Sequence, residues 1–266
     1  MALLMISGGG LSQYFNKNNC DHNIEFEYKG AWIKIIHTRN CGVSAARNTG
    51  IENATSDYIV FIDPDDTVKE NYFSTIKAFM TSTSVDVAIL GFYQIVEDKD
   101  GNVVKEGEVF PQKNYISNSV EETVRTVLPK YLGYSVEDIL EWVNSTEAIS
   151  KRLEWGAVWR NVYRRDFLNK NQIRFNPSIR LNEDSMFNAM CFSRAQKIRT
   201  LNKGFYCYTI RPSGAFMKKR RCRLVGNKMA LLEARSNIVE GSELKRGFNF
   251  SVKDYAGSKC YDPALN

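Results

Sequence analysis

An apolar strand that runs directly into three carboxylates is the feature that most constrains this chain. The segment DYIVFID (57–63) is typical of a buried strand, and Asp63, Asp65 and Asp66 occupy three of the four positions after Ile62. Carboxylates held this close repel one another unless a cation or a ligand offsets their charge. The fold must therefore place this strand end where a cation, a ligand or solvent can offset the charge of the carboxylates.

Helix capping is the simplest alternative for this cluster. A helix is predicted from about Val68 to Met80, and Thr67 with Glu70 has the pattern of a capping box ahead of it. A cap uses only one side chain, so capping leaves the cluster unexplained. In open parallel sheets, ligands bind beyond the carboxyl ends of the strands, and carboxylate oxygens suit Mg²⁺ or Mn²⁺ held together with substrate phosphates. The cluster predicts a metal–diphosphate site, although a D-x-D pattern alone is common.

Strands and helices alternate in the first half of the chain. The strands are predicted at residues 2–7, 32–37, 57–63 and 85–96, and the helices at 45–54 and 68–80. Asp100-Gly101 marks the turn of a following hairpin. This order predicts an α/β fold with a mainly parallel sheet flanked by helices.

The second half has a more helical pattern. Ser119 and Glu122 form a capping box, a further helix is predicted from Ser135 to Trp142, and the segment 206–216 opens as a strand. The pattern divides the chain into three parts: the α/β part at residues 1–110, a more helical part of the same domain at 111–222, and a helical tail at 223–266.

Residues 40–54 can form an anion-binding helix start. Gly42 permits a tight turn, and residues 44–47 place free backbone amides and the Arg47 guanidinium at the N-terminus of the predicted helix, where phosphate is favoured. The alternative is an ordinary helix capped by Ser44 with a solvated arginine.

Residues 179–192 contain a second acidic pair, Glu183-Asp184, directly before an apolar helical face. Asn182 or Asp184 could cap this helix. Alternatively, the pair could supply a general base at a cleft. The local pattern favours the cap.

Composition excludes several classes of site. Six cysteines without a C-x-x-C pair and only two histidines argue against structural zinc and favour reduced thiols in the cytosol. No apolar run approaches the roughly 20 residues needed to cross a bilayer. The net charge of +6 is concentrated in MKKRRCR (217–223), which suits an anionic ligand or a membrane surface. Nucleic acid is not expected, since the acidic strand end supplies no basic face.

Taken together, these segments resemble one enzyme family. GVSAARNTGIENATSDYIVFIDPDD (42–66), VWRNVYRRDFL (158–168), IRFNPSIRLNEDSMF (173–187) and YCYTIRPSGAF (206–216) are similar to motifs of the inverting, nucleotide-sugar-dependent glycosyltransferases of family 2, of the bacterial capsule and surface-polysaccharide type. The resemblance covers roughly residues 4 to 216. It implies the GT-A fold, which is Rossmann-like, with a helical acceptor-side and C-terminal region. In that fold residues 1–110 would be the nucleotide-sugar-binding part and 111–222 the acceptor-side part of the same domain.

The resemblance also implies a role for each matching residue. Asp184 is expected to be the catalytic base and Glu183 to orient it or the acceptor, and donor binding is expected from Arg47, Asp63, Asp65, Arg211 and Ser213. Asp65 and Asp66 are expected to hold Mg²⁺ or Mn²⁺. The implied partners are a nucleotide-diphosphate sugar, with a UDP-sugar expected, and a glycan or lipid-linked acceptor. The implied location is cytoplasmic, with peripheral contact at the inner face of the cell membrane.

One departure keeps other functions open. The strand and helix that usually begin this family, with a motif that cradles the nucleotide base, have no match, and ISGGGLS (6–12) stands where an Asp-Gly-Ser motif is usual. The sequence therefore allows a non-catalytic glycan- or nucleotide-binding protein with the same fold. A sugar-phosphate nucleotidyltransferase is disfavoured, because the glycines at 8–10 have no basic residue among them.

Overall fold

The computed structural model describes residues 2–5, 24–28, 31–36, 38–132, 154–180, 182–212 and 233–238. The strands are β1 (Ala2–Met5), β2 (Ile24–Tyr28), β3 (Ala31–Ile35), β4 (Tyr58–Ile62), β5 (Thr67–Val68), β6 (Val87–Glu97), β7 (Val103–Val109), β8 (Ile116–Ser117), β9 (Asn161–Arg164) and β10 (Ile198–Ile210). The helices are α1 (Val43–Asn53), α2 (Tyr72–Thr83), α3 (Val120–Thr126), α4 (Pro129–Leu132), α5 (Arg165–Lys170) and α6 (Glu183–Phe192), with a 3₁₀ turn at Val158–Arg160.

One mixed sheet forms the centre of the fold, in the strand order β1-β4-β9-β6-β10-β5. β1 pairs with β4 and β6 pairs with β10 in parallel, while β9 lies antiparallel between β4 and β6. Consequently β1, β4, β6 and β10 all run in one direction, and the α/β class with helices beside the sheet is confirmed. β9 was not predicted, because its four residues are too few to show an alternating pattern. Strands from both sides of residue 110 enter this sheet.

The two faces of the sheet carry separate cores. Along β4 the side chains alternate, so that Ile59 and Phe61 join one buried cluster while Val60 and Ile62 join the other. The first cluster includes residues of α1, α3, α4, α5 and α6, and the second is covered by α2. Since both faces are buried, β4 needs an apolar sequence along its whole length, and its polar continuation marks the edge of the sheet.

The predicted capping box at Thr67 and Glu70 is wrong. Thr67 and Val68 form β5, which pairs antiparallel with Cys207 and Tyr206 of β10. The residues that the local pattern assigned to a helix cap are therefore part of the sheet, and α2 begins only at Tyr72. Its N-cap residue, Asn71, is left-handed with φ 61° and makes no side-chain cap bond.

Other local predictions had mixed outcomes. Ser44 is not the cap of α1, because the N-cap is Gly42 at φ 90° and Ser44 lies inside the first turn. The Ser119 cap of α3 is confirmed, since its hydroxyl accepts a hydrogen bond from the Glu122 amide at 3.1 Å. The β6–β7 hairpin is also confirmed, with Gly101 at φ 85° in its turn.

Several predictions fall outside the described residues. They are the glycine turn at 7–13, the helix at 135–142, Ser213, the basic stretch at 217–223 and most of the tail helix, of which 233–238 are helical. Within the part of the chain that the structure describes, every helix is too short or too polar to cross a membrane.

Candidate active site

Arg47 stands at the centre of a buried group of carboxylates beyond the end of β4. Its side chain is only 4% exposed. Nη1 donates to Asp184 and lies 3.4 Å from Oε1 of Glu183, while Nη2 lies 3.4 Å from Oδ1 of Asp63. The guanidinium also lies 5.2 Å from the centre of the Phe175 ring, which fixes it from one side. One cation therefore joins residues from α1, the end of β4 and the start of α6.

The electrostatics of this group follow from burial. Burial alone would lower the pKa of Arg47, but the charges of Asp184, Asp63 and Glu183 outweigh it and raise that pKa. Burial raises the pKa of Asp63, and the Arg47 charge only partly opposes this. Arg47 thus stays charged, and the carboxylates around it depend on it for neutralisation.

Glu183 and Asp184 lie in the first turn of α6, after Asn182 at φ 62°. Asn182 takes the N-cap position without a side-chain cap bond, and the Asp184 carboxylate is directed to Arg47 and to the Val158 amide, which donates to its Oδ2 at 3.3 Å. Asp184 therefore does not cap the helix, contrary to the reading that the local pattern favoured. Burial, followed by the charge of Asp184, raises the pKa of Glu183 to about 7.

The loop at residues 154–160 holds Asp184 in place. At its start, Glu154 accepts hydrogen bonds from Arg160 Nη1 at 3.0 Å and from the Tyr115 hydroxyl at 2.8 Å, all within the core. Midway, the Gly156 carbonyl accepts a bond from Asn188 of α6 at 2.8 Å. The loop is thus fastened to the sheet and to α6 together, and it presents the Val158 amide to Asp184 from a rigid support.

Gly156→Ala tests this close approach. A Cβ at position 156 would lie 1.9 Å from Oγ and 2.9 Å from Cβ of Ser185, so α6 or the loop must shift. We expect a loss of about 1–3 kcal/mol in the free energy of unfolding, measured in urea, together with a loss of activity. Gly107→Ala is the control, because nothing lies within 4 Å of its added methyl group. The double variant with Ser185→Gly should recover part of the loss, and no recovery would contradict the contact as its cause.

Asp66 ties the carboxylate turn after β4 to β10. The Tyr206 hydroxyl accepts a hydrogen bond from the Asp63 amide at 3.0 Å and donates to Oδ2 of Asp66 at 2.8 Å. The Thr209 amide donates to Oδ1 of Asp66 at 3.2 Å. Burial raises the pKa of Asp66 to about 6. Both carboxylate oxygens of Asp66 are therefore engaged by β10.

Asp65 and Arg211 lie next to each other at the surface of this turn. The Asp65 side chain is exposed, and its backbone carbonyl accepts a hydrogen bond from Arg211 Nη1 at 3.2 Å. Arg211 Nε also donates to Glu97 Oε2 at 3.0 Å. The structure thus brings Arg211 to the carboxylate turn, while Ser213 is outside the described residues.

The carboxylates fit a divalent cation unequally. Among the described residues, no group of three histidine, cysteine or acidic side chains is arranged to hold a metal ion. Mg²⁺ is commonly held by one or two carboxylates together with substrate phosphates, and the exposed Asp65 carboxylate suits that arrangement. Asp66 suits it less well, because its oxygens already accept protein hydrogen bonds.

Sequence reasoning missed the residues that hold the carboxylates in place. Tyr206 and the Val158 amide bind Asp66 and Asp184 from positions 140 and 26 residues away. The aromatic run at 206–208 was the only signal for Tyr206, and it indicated a strand rather than a hydroxyl partner. A backbone amide such as that of Val158 leaves no signal in sequence.

The chain is similar to known proteins over much of its length. Residues 22–141 match the family model described as "Glycosyl transferase family 2". The chain is 29% identical to the uncharacterized glycosyltransferase EpsJ of Bacillus subtilis, over 71% of this chain and 48% of that protein. It is 28% identical to the glycosyltransferase GlyA of Streptococcus pneumoniae, over 70% of this chain and 24% of that protein. The chain thus spans less than half the length of these two relatives.

A solved structure shares the fold. TarS residues 1–349 of S. aureus, crystallised with UDP-GlcNAc, superimposes with a TM-score of 0.53 at 16% identity, covering 85% of this chain and 59% of that one. At this identity the likeness concerns the fold alone.

Proposed function

Because the chain carries a glycosyltransferase family 2 domain within a GT-A fold, we propose that it transfers a sugar from a nucleotide-diphosphate donor to a hydroxyl group of a glycan or lipid-linked acceptor, with inversion at the anomeric carbon. The family expected from the sequence motifs and the α/β GT-A class are both confirmed. The activity, the stereochemistry, the residue roles and the substrates are proposals.

The observation that carries this proposal is the meeting of two acidic segments at Arg47. Asp63 follows the apolar strand on the donor side, and Asp184 begins α6 on the other side, yet both contact one guanidinium. An inverting transfer needs a base on one side of the anomeric carbon and charge stabilisation at the leaving diphosphate on the other. In this proposal Asp184 is the base, and the neighbouring turn with Asp65 and Arg211 stabilises the leaving diphosphate.

The proposed reaction is one displacement. Asp184 accepts the proton of the acceptor hydroxyl as its oxygen bonds to the anomeric carbon, and the bond from that carbon to the diphosphate oxygen breaks, so the nucleoside diphosphate leaves with the electron pair. The Val158 amide and Arg47 hold Asp184 in one orientation throughout. Glu183 lies beside this base and has a pKa of about 7, so it is partly protonated near neutral pH.

A divalent cation would be held mainly by Asp65, with Asp66 positioning that turn through Tyr206. When bound, Mg²⁺ or Mn²⁺ would offset the charge of the diphosphate. Arg211 is placed to approach the same phosphates from the exposed side.

The substrates are inferred by class. TarS 1–349 was solved with UDP-GlcNAc, and one further relative, 26% identical, is a minor teichoic acid biosynthesis protein of Bacillus subtilis. We therefore propose a UDP-sugar as donor and a role in surface or capsular polysaccharide synthesis. Contact with the inner face of the membrane is proposed for the basic stretch at 217–223.

A thermal-shift panel of nucleoside diphosphates, each with Mg²⁺, Mn²⁺ or a chelator, tests the donor site. We expect one nucleotide to raise the melting temperature by about 5 °C at about 100 times its Kd, and only with metal. Asp65→Ala should abolish this shift, whereas the control Asp100→Ala, in the exposed β6–β7 turn, should retain it. The absence of any shift in the unmodified protein would contradict a working donor site and favour a non-catalytic protein.

A further inference from the structure

A continuous set of aromatic rings runs from the carboxylate turn to the protein surface. This aromatic wall consists of Tyr206, Trp159, Tyr208, Phe92 and Trp155. Trp159 stacks on Tyr206 at 4.6 Å and on Tyr208 at 5.0 Å between ring centres, and Trp155 meets Tyr208 edge-on at 5.7 Å. Phe92 lies behind, 5.2 Å from Trp155 and 5.0 Å from Trp159.

The inner part of the wall is buried, whereas its outer end, Trp155, is exposed. Tyr206 and Phe92 are fully buried, and Trp159 is nearly so. Trp155 is 41% exposed, although its ring is braced by Phe92 and Tyr208. An exposed indole held rigidly by buried rings loses little conformational entropy when a ligand stacks on it.

Both ends of the wall adjoin the proposed site. At one end, the Tyr206 hydroxyl donates to Asp66, and burial followed by the charges of Asp66 and Asp65 raises the pKa of Tyr208. At the other end, the residue after Trp155 abuts Ser185, beside the proposed base Asp184. The wall therefore reaches Asp66 at its buried end, and at its exposed end the chain beside Trp155 packs against the turn of α6 that carries Asp184.

We propose that Trp155, with Tyr208 beside it, forms the surface on which a sugar ring of the acceptor stacks. This inference rests on the proposed function and adds that the acceptor presents a pyranose ring, rather than only a lipid chain, next to the reacting hydroxyl. A pyranose has an apolar face of C–H groups and an edge of hydroxyls. An aromatic surface bordered by carboxylates matches both features, since the ring covers the face and the carboxylates accept from the hydroxyls.

The position on the loop assigns the ring to the acceptor rather than to the donor. Residues 154–158 carry Trp155 at one end and the amide that holds Asp184 at the other. The same short segment therefore fixes both Trp155 and Asp184, so a sugar ring stacked on Trp155 would lie at a fixed position relative to the base. The donor diphosphate is instead expected at Asp65 and Arg211.

Saturation-transfer NMR with the methyl β-glycosides of glucose, galactose and N-acetylglucosamine tests this surface without requiring turnover. We expect at least one glycoside to bind the unmodified full chain, and Trp155→Ala to weaken that binding by about tenfold. Trp155→Phe should retain most of it. Phe110→Ala is the matched control, because Phe110 is 46% exposed and contacts Gly91 instead of the wall.

The inference is overturned by an absence of glycoside binding to the unmodified chain, or by equal glycoside binding by Trp155→Ala and Phe110→Ala. The nucleotide thermal shift, measured on the same variants, should be unchanged. A selective loss of nucleotide binding in Trp155→Ala would also overturn it, because that result would show that Trp155 contacts the donor and not the acceptor. Failure of the proposed function has a different signature, since it removes the nucleotide shift from the unmodified chain itself.

Discussion

Asp184→Asn is expected to lower the rate of sugar transfer by about 10²–10⁴-fold while leaving nucleotide binding intact. The amide has nearly the shape of the carboxylate, and its single oxygen can keep one of the two hydrogen bonds, from the Val158 amide or from Arg47, so the start of α6 should stay close to its position. It cannot, however, take a proton from the acceptor hydroxyl. The measurement is turnover with an acceptor, beside nucleotide binding by calorimetry on the same preparation.

Glu183→Gln is the matched control for this substitution. Because the pKa of Glu183 is about 7, an uncharged side chain at this position resembles a state that the protein already populates near neutral pH. We expect its effect on turnover to stay below about tenfold. Reversal of the two effects, with Glu183→Gln inactive and Asp184→Asn active, would assign the base to Glu183.

Arg47→Leu is expected to destabilise the fold by about 3–5 kcal/mol at pH 8, because it leaves Asp63, Glu183 and Asp184 partly buried without their shared cation. Leucine fits the apolar contact with Phe175, so the lost charge is the main change. Urea unfolding measures the loss. Nucleotide binding should weaken as well, if Arg47 faces the donor.

The pH dependence of that loss identifies its cause. Burial already raises the pKa of Asp63 and Glu183, and removing Arg47 should raise both further. Groups with a raised folded pKa favour the folded state most when they are protonated, so their destabilising effect grows as pH rises through the folded pKa. The loss should therefore be smaller at pH 5 than at pH 8.

Arg164→Leu is a suitable comparison for this measurement. Arg164 pairs with Asp86, but its side chain is 45% exposed and Asp86 keeps two backbone donors, from Gln196 and Lys197. A loss of about 1 kcal/mol is expected there. Equal losses for Arg47→Leu at both pH values would show that packing, and not charge, explains its role.

The sequence predicted the identity of the charged residues better than their surroundings. Strand position and residue type were enough to single out Asp63, because capping does not explain three carboxylates at one strand end. The local pattern left Arg47 open and favoured a cap for Asp184, so these two were assigned by the family resemblance. The structure brings these three together. Their roles in catalysis and donor binding stay predictions.

What could not be predicted depends on contacts between distant segments. Thr67 has a good local reason to cap a helix, yet pairing with β10 decides its structure. Tyr206 and Trp155 are ordinary core residues by sequence pattern. Only the folded structure shows that the Tyr206 hydroxyl binds the Asp66 carboxylate and that Trp155 is exposed. Local propensity is a weak guide wherever a sheet edge competes for the same residues.

The placement of β9 limits how this chain can be shortened. Among the described strands, β4 and β6 make no direct pair, and β9 alone joins them. A fragment ending at residue 141, where the family match ends, would lack β9, β10 and α6. Such a fragment would hold three separate strand pairs, β1–β4, β2–β3 and β6–β7, and would lack the strand that joins β4 to β6. The region matched by the family model is therefore smaller than the unit that completes the central sheet.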